Sequence, residues 1–137
     1  MNLKTLGALR LEPPSFTQPK PLLLLSYLVI EGPQPRRHVA ELFWGTGNRM
    51  KSLSMAMTRL HQSAGEVIEA DSKKTWSTVK SDVALLLESL DKSQWERAAN
   101  LYTGAFLEGV VLEDWSSELE EWVYTTREYL AGRVQYA

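Results

Sequence analysis

The sequence predicts an α+β protein that is mostly helical, and three observations lead to this fold class. Hydrophobic residues make up 44% of the 137 residues, which is enough for a packed core. Short runs near residues 3–11 and 67–79, bounded by glycine, proline and polar turns, predict a few short strands. Between and after these runs, apolar residues recur at the three-to-four-residue spacing of helices that bury one face.

The charge distribution divides the chain near residue 80. The net charge of the whole chain is −2. Residues 1–80 carry 11 basic and six acidic side chains, a balance of +5, whereas residues 81–137 carry four and 11, a balance of −7. Such asymmetry indicates two modules, the first attracted to a polyanion and the second repelled by it. We therefore predict a first domain over 1–80 and a helical second domain over 81–137. The last apolar stripe runs to the final residue, so we expect the second domain to be truncated.

Composition excludes several classes of protein. The chain has no cysteine, which rules out a disulfide framework or a thiolate metal site and favours a reducing cytoplasm. Two isolated histidines are too few for a metal centre. The longest apolar run, residues 22–30, is far shorter than a membrane span, and no cationic leader precedes it. We expect a cytoplasmic protein with no metal, cofactor or membrane partner.

The first 47 residues predict a short strand–turn–strand followed by two helices. Residues 3–11 read as the strands, ended by Pro13 and Pro14. The residues Pro19-Lys20-Pro21 open a helix that is apolar on nearly every side and must be buried, with Gly32 as its terminator. A second helix begins at Pro35, buries Val39, Leu42 and Phe43, and ends at the glycine turn 45–47.

The stretch 48–64 predicts the helix that carries function. Its buried stripe is expected to contain Leu53, Met57, Leu60 and Ala64. The opposite face carries long donors, hydroxyls and one apolar side chain, and no carboxylate lies between residues 48 and 64. Arginine pairs with guanine and asparagine or glutamine with adenine in the DNA major groove, so this surface suits a groove-reading helix. The alternative is that this face is an ordinary solvated helix surface. Under either interpretation its residues are Asn48, Lys51, Ser52, Met55, Thr58, Arg59 and Gln62.

A hairpin is predicted directly after this helix. Val67-Ile68 and residues 75–79 are strand-like, with Asp71 to Lys74 as a polar connection. A hairpin in this position is the wing of a winged helix-turn-helix, and its basic tip would reach phosphates or a minor groove. The alternative is a surface hairpin whose lysines serve solubility.

Helix starts are well marked in residues 81–137. Ser81 or Asp82 can cap a helix over 83–90, and Ser93-x-x-Glu96 and Ser117-x-x-Glu120 both match the capping box. Residues 104–115 are predicted to form a loop. The last helix is expected to begin near Glu118 and to place its apolar residues on one side, namely Leu119, Trp122, Val123, Thr126, Leu130 and Val134.

Several of these strings together resemble one family. The runs LKTLGALRLEP, PKPLLLLSYLVIEG, PRRHVAELFW and SLSMAMTRLHQSAG resemble the antibiotic-regulatory-protein (SARP) type of bacterial transcriptional activator. The continuation AANLYTGAFLEGVVLEDWSSELEEWVYTTREYL resembles the opening of the bacterial transcriptional activator domain (BTAD), through its LY-x-G-x-FL-x-G and ELEEW strings. The resemblance covers nearly the whole chain and implies an OmpR-type winged helix followed by an all-helical domain.

The resemblance also implies partners and residue roles. Members of the family bind short direct repeats near promoters and contact RNA polymerase, and direct repeats suit two copies arranged head to tail. By analogy, the base-reading residues are Lys51, Ser52, Met55, Thr58 and Arg59. The residues expected at phosphates are Arg36, Arg37, Asn48, Arg49, Gln62, Lys73 and Lys74.

The two other classes of function are a protein-interaction module and an enzyme. The chain can be read as a non-catalytic helical interaction module in which the acidic segment works and the winged helix is a scaffold. An enzyme is disfavoured, because Glu118, Glu120 and Glu121 lie in the first turn of a helix, where carboxylates suit the dipole. His38 and His61 have no catalytic partner at a recognisable spacing.

Overall fold

The protein has an α+β fold in which helices predominate, as predicted. A computed structural model describes residues 2–12, 16–45, 47–110 and 116–136. Its helices are α1 Pro19–Glu31, α2 Arg36–Phe43, α3 Arg49–Ala64, α4 Asp82–Asp91, α5 Trp95–Leu101 and α6 Ser117–Gln135. Its strands are β1 Asn2–Lys4, β2 Arg10–Glu12, β3 Gln34–Pro35, β4 Glu69–Ala70, β5 Lys74–Trp76 and β6 Lys80–Ser81.

The strands form two small sheets of three strands each. In the first sheet, of order β2-β1-β6, β1 runs antiparallel to β2 and parallel to β6, with Leu3 opposite both Leu11 and Ser81. In the second, of order β3-β5-β4, both pairs are antiparallel and Thr75 lies opposite Gln34 and Ala70. Because β3 directly precedes α2, the second sheet ties the start of α2 to the β4–β5 hairpin.

Helix α1 lies at the centre of the hydrophobic core, and its apolar sequence predicted this burial. Every residue from Pro21 to Leu28 is buried. The ring of Tyr27 meets Phe43 of α2 and Trp122 of α6 edge-on, with centroids 5.9 Å and 5.0 Å apart. Burial raises the pKa of the Tyr27 hydroxyl, and the nearby Glu31 and Glu118 raise it further. Helix α1 therefore packs against α2, within residues 1–80, and against α6, within residues 81–137.

The hydrophobic core continues across residue 80. Trp122 packs edge-on against Phe106 at 5.7 Å, and Phe106 forms an isolated β-bridge with Leu6, which lies just after β1. The hydroxyl of Ser116 donates to the carbonyl of Leu42 at 2.9 Å. Residues on both sides of the predicted domain boundary thus share one core, while the division into two domains stays a prediction.

The local start signals for helices were only partly correct. Ser81 caps α4, since its hydroxyl accepts the N–H of Ala84 at 3.1 Å. The predicted cap at Ser93 is wrong, because the residue that precedes α5 is Gln94 and Ser93 adopts a left-handed backbone with a φ of +56°. The predicted cap at Ser117 is also wrong by one position: Ser116 is extended and its hydroxyl accepts the N–H of Leu119.

The remaining differences concern boundaries. Val67 and Ile68 are buried but precede β4, so the hairpin begins two residues later than predicted. Thr46 of the predicted glycine turn and residues 111–115 of the predicted loop lie outside the described residues. None of the described helices combines the length and the apolarity that crossing a membrane requires.

Candidate nucleic-acid interface

Helix α3 is fixed at both ends. The side-chain oxygen of Asn48 accepts the N–H of Lys51 at 3.1 Å, which satisfies one donor of the first turn. Gly65 ends the helix with a φ of +83°, and its N–H donates to the carbonyl of His61 at 2.9 Å. These two contacts define where the helix begins and ends.

The inward side of α3 differs from the predicted stripe at one position. Leu53, Leu60 and Ala64 are buried as expected, but Ala56 is the fourth buried residue and Met57 is only partly buried. Ala56 belongs to the core cluster, and it also lines a hollow together with Pro21 of α1 and Trp44 at the end of α2. The buried face is consequently broader than the strict stripe and extends toward the start of α1.

The outward side of α3 forms what we call the α3 ridge, which is the face presented by six polar or flexible side chains. Within the described residues, neither Lys51 nor Arg59 forms an ion pair. Ser52 is half-buried and the other members are exposed. The ridge thus presents two cationic groups to solvent on a helix that has no carboxylate, and its members are Lys51, Ser52, Met55, Thr58, Arg59 and Gln62.

Some of the predicted contact residues also bind the protein's own backbone. The Thr58 hydroxyl donates to the carbonyl of Ser54 at 2.9 Å, which leaves its oxygen as an acceptor. The Arg49 guanidinium donates to the carbonyl of Gly45 at 2.7 Å. Asn48 uses its side-chain oxygen as the helix cap and keeps its amide N–H groups for another partner. These hydrogen bonds leave the three side chains fewer free donors and acceptors for a partner than Lys51 and Arg59 have.

A shallow hollow that sequence analysis did not predict lies beside the ridge. It is lined by Lys20 and Pro21 from the start of α1, by Trp44 at the end of α2, and by part of α3. The Lys20 ammonium lies 5.0 Å from the centroid of the Trp44 ring, a cation–π contact. Lys20 is therefore a third cation near the ridge, beside Arg59 and Ser52.

The tip of the β4–β5 hairpin is a tight turn organised by Asp71. Its carboxylate accepts the N–H groups of Lys74 at 2.7 Å and Lys73 at 2.8 Å. These two hydrogen bonds, that of Lys74 being the stronger, lower the pKa of the Asp71 carboxyl below its ordinary value of 3.8. The side chains of Lys73 and Lys74 are exposed. The tip therefore presents two ammonium groups beside the Asp71 carboxylate, one oxygen of which is hydrogen-bonded to the backbone.

Two arginines at the start of α2 have different surroundings. The backbone N–H of Arg36 donates to the carbonyl of Lys73 at 2.8 Å, and its guanidinium donates to the carbonyl of Asp71 at 3.3 Å. Arg36 is half-buried, so it positions the hairpin tip, whereas Arg37 is exposed. A second hollow, between α2 and α3, contains Arg37 and Arg49 together with Glu41.

The two histidines, on α2 and α3, have different surroundings. The Nε2 atom of His61 accepts the N–H of Ile68 at 3.4 Å, which occupies the ring at the end of α3. His38 is half-buried on α2. In the described part of the chain, no group of three His, Cys, Asp or Glu residues is placed to hold a metal ion.

Comparison with protein-family models, with curated proteins and with solved structures finds no match to this chain. The candidate site is consequently defined by its own geometry. It consists of the α3 ridge, the hollow with Lys20 and Trp44, and the basic hairpin tip that Arg36 joins to α2.

Proposed function

We propose that this chain is a sequence-specific DNA-binding transcriptional activator whose α3 ridge enters the major groove. One observation carries the proposal: the ridge exposes Lys51 and Arg59, without an ion pair in the described residues, on a helix that lacks carboxylates. A duplex carries one phosphate charge per ~1.7 Å of its axis, so such a surface is attracted to it.

The order of elements supports the finer assignment of a winged helix-turn-helix. Helices α1, α2 and α3 are followed by the β4–β5 hairpin, and β3 between α1 and α2 pairs with β5. In this assignment α3 is the recognition helix and the hairpin is the wing. The pairing of β3 with β5 holds the hairpin against the start of α2, so that the position of the hairpin relative to α2 is fixed.

Each predicted contact residue has a role in the proposal. Lys51 and Arg59 donate to guanine edges, and Ser52 donates to or accepts from a base edge. Thr58, whose hydroxyl donates to Ser54, accepts from the amino group of adenine or cytosine. Met55 supplies an apolar contact. The phosphate contacts come from both ends of α3, from α2 and from the hairpin tip, and the residues assigned to them are Arg36, Arg37, Asn48, Arg49, Gln62, Lys73 and Lys74.

The family resemblance extends the proposal to partners. It assigns promoter direct repeats as the DNA, two copies arranged head to tail on them, and RNA polymerase as the protein contacted. The net charge of −7 on residues 81–137 keeps that segment away from the duplex and leaves it for protein partners. A regulator of this type works in the cytoplasm.

Selection of bound sequences from random duplexes tests the proposal. We expect the chain to enrich one motif, repeated in the same orientation. The Arg59→Glu variant should lose the enrichment, because it places a carboxylate on the ridge. Arg97→Glu on the exposed face of α5 is the matched control and should retain it. Absence of any enriched motif with the unaltered chain would refute sequence-specific DNA binding.

A second candidate function is a helical protein-interaction module in which residues 1–80 are only a scaffold. Three tyrosines on or just beyond α6, Tyr124, Tyr129 and Tyr136, favour it because each is more than half exposed. Tyrosine is enriched at protein interfaces. Under this function no promoter duplex would shift at low salt, and substitutions on the α3 ridge would leave partner binding unchanged.

A further inference from the structure

We infer that Met55 reads the methyl group of a thymine near the centre of each bound half-site. This inference rests on the proposed DNA-binding function and names a base that the operator must contain. It goes beyond charge complementarity, because a methyl group carries no charge and forms no hydrogen bond.

The position of Met55 on the α3 ridge is the first part of the argument. Side chains three and four residues apart are neighbours on a helix surface. All four such neighbours of Met55 are polar, namely Lys51, Ser52, Thr58 and Arg59. Met55 is nevertheless 47% exposed, so the centre of the ridge offers solvent one apolar side chain among hydrogen-bonding groups.

The chemistry of the groove supplies the second part. Among the base edges of the major groove, the thymine 5-methyl is the apolar group, and the other features are donors and acceptors. A methionine thioether has no strong donor or acceptor and adapts its shape to a small apolar partner. In a groove-bound ridge, contact with such a methyl lets Met55 lose water without leaving a hydrogen bond unmade. Met55 also borders the hollow lined by Pro21 and Trp44.

Met50 shows that exposure alone does not define this role. It is 41% exposed on the same helix, close to Met55 in accessibility. Five residues correspond to a rotation of about 140° along an α-helix, so Met50 points away from the ridge. It lies in the hollow that contains Arg37 and Glu41. Met50 is thus a matched control for Met55.

The test uses the selected duplex with single thymines replaced by uracil, which removes only the methyl group. Equilibrium binding of the full chain is measured by fluorescence anisotropy at constant salt. We expect one thymine position in each half-site to weaken binding about fourfold, the factor that burial of one methyl-sized group contributes. Replacement at the other thymine positions should change binding less than about twofold.

Protein variants then assign the effect to a residue. In Met55→Ala the unaltered and uracil duplexes should bind equally, whereas Met50→Ala should keep the fourfold difference. If the difference persists in Met55→Ala, or if no thymine position matters to the unaltered chain, this inference is wrong while DNA binding stands. If the unaltered chain binds no duplex, the proposed function fails together with this inference.

Discussion

The carboxylate of Asp82, in the first turn of α4, accepts the backbone N–H of Leu6 at 2.9 Å. The same carboxylate accepts the N–H of Thr5 at 3.0 Å and the Thr5 hydroxyl at 2.8 Å. The turn that follows β1 is therefore fastened to the start of α4. This contact joins the turn after β1, which lies in the basic residues 1–80, to the first helix of the acidic residues 81–137.

Loss of this carboxylate should destabilise the fold. We expect Asp82→Ala to lower the free energy of unfolding by about 2–3 kcal/mol, since it leaves two partly buried N–H groups without an acceptor. Urea denaturation measures the change. The control is Asp91→Ala, which removes an exposed ion pair with Arg133 and should have a much smaller effect. A loss in Asp82→Ala no larger than that in Asp91→Ala would show that the Asp82 contacts contribute no more than an exposed ion pair.

The approach of Gly104 to Gly7 gives a second prediction about stability. A Cβ atom on Gly104 would lie 2.6 Å from the Cα of Gly7, closer than carbon atoms approach, so the backbone would have to shift. We expect Gly104→Ala to destabilise the protein by about 1–3 kcal/mol, as overpacking does. Thermal unfolding measures this change.

Gly132 is the matched control for that prediction. It lies within α6, and a Cβ atom there would meet nothing within 4 Å. Alanine favours a helix over glycine by about 1 kcal/mol, so Gly132→Ala should leave the melting temperature unchanged or raise it. A loss of stability in Gly132→Ala as large as in Gly104→Ala would contradict the steric account.

The sequence was sufficient to predict elements whose signals are local. The apolar run of α1, the proline residues at its start and the glycine at its end identified that helix. The outward residues of α3 were also identified, because a carboxylate-free face follows from helical spacing alone. At the starts of α5 and α6 the choice between adjacent capping residues depends on the backbone angles of the preceding loop, which the sequence pattern does not contain.

Contacts between distant residues were beyond sequence reasoning. The hollow that brings Lys20 and Trp44 beside the α3 ridge depends on how α1 and α2 pack, and no spacing rule connects these positions. The same holds for Arg36, predicted at phosphates, whose observed contacts are with the hairpin tip. The burial of Ala56 in place of Met57 likewise follows from neighbours on other helices.

The roles assigned to Arg59 and Lys73 differ and can be separated by measurement. Arg59→Ala should cost about 1–3 kcal/mol of binding free energy on the selected sequence and relax the preference at one base position. Lys73→Ala should weaken binding on every sequence to the same extent. It should also make the slope of the logarithm of the binding constant against the logarithm of the salt concentration less negative by about one unit. If Arg59→Ala weakened all sequences equally, its role as a base reader would be wrong.

Salt dependence of duplex binding tests the central claim, that a cationic segment presents the α3 ridge to DNA. The equilibrium constant of the full chain for the selected duplex is measured between about 50 and 200 mM salt. Five or six phosphate contacts predict a slope of about −5 in a plot of the logarithm of the constant against that of the salt concentration. A slope near zero, or no duplex binding at the lowest salt concentration, would contradict the account.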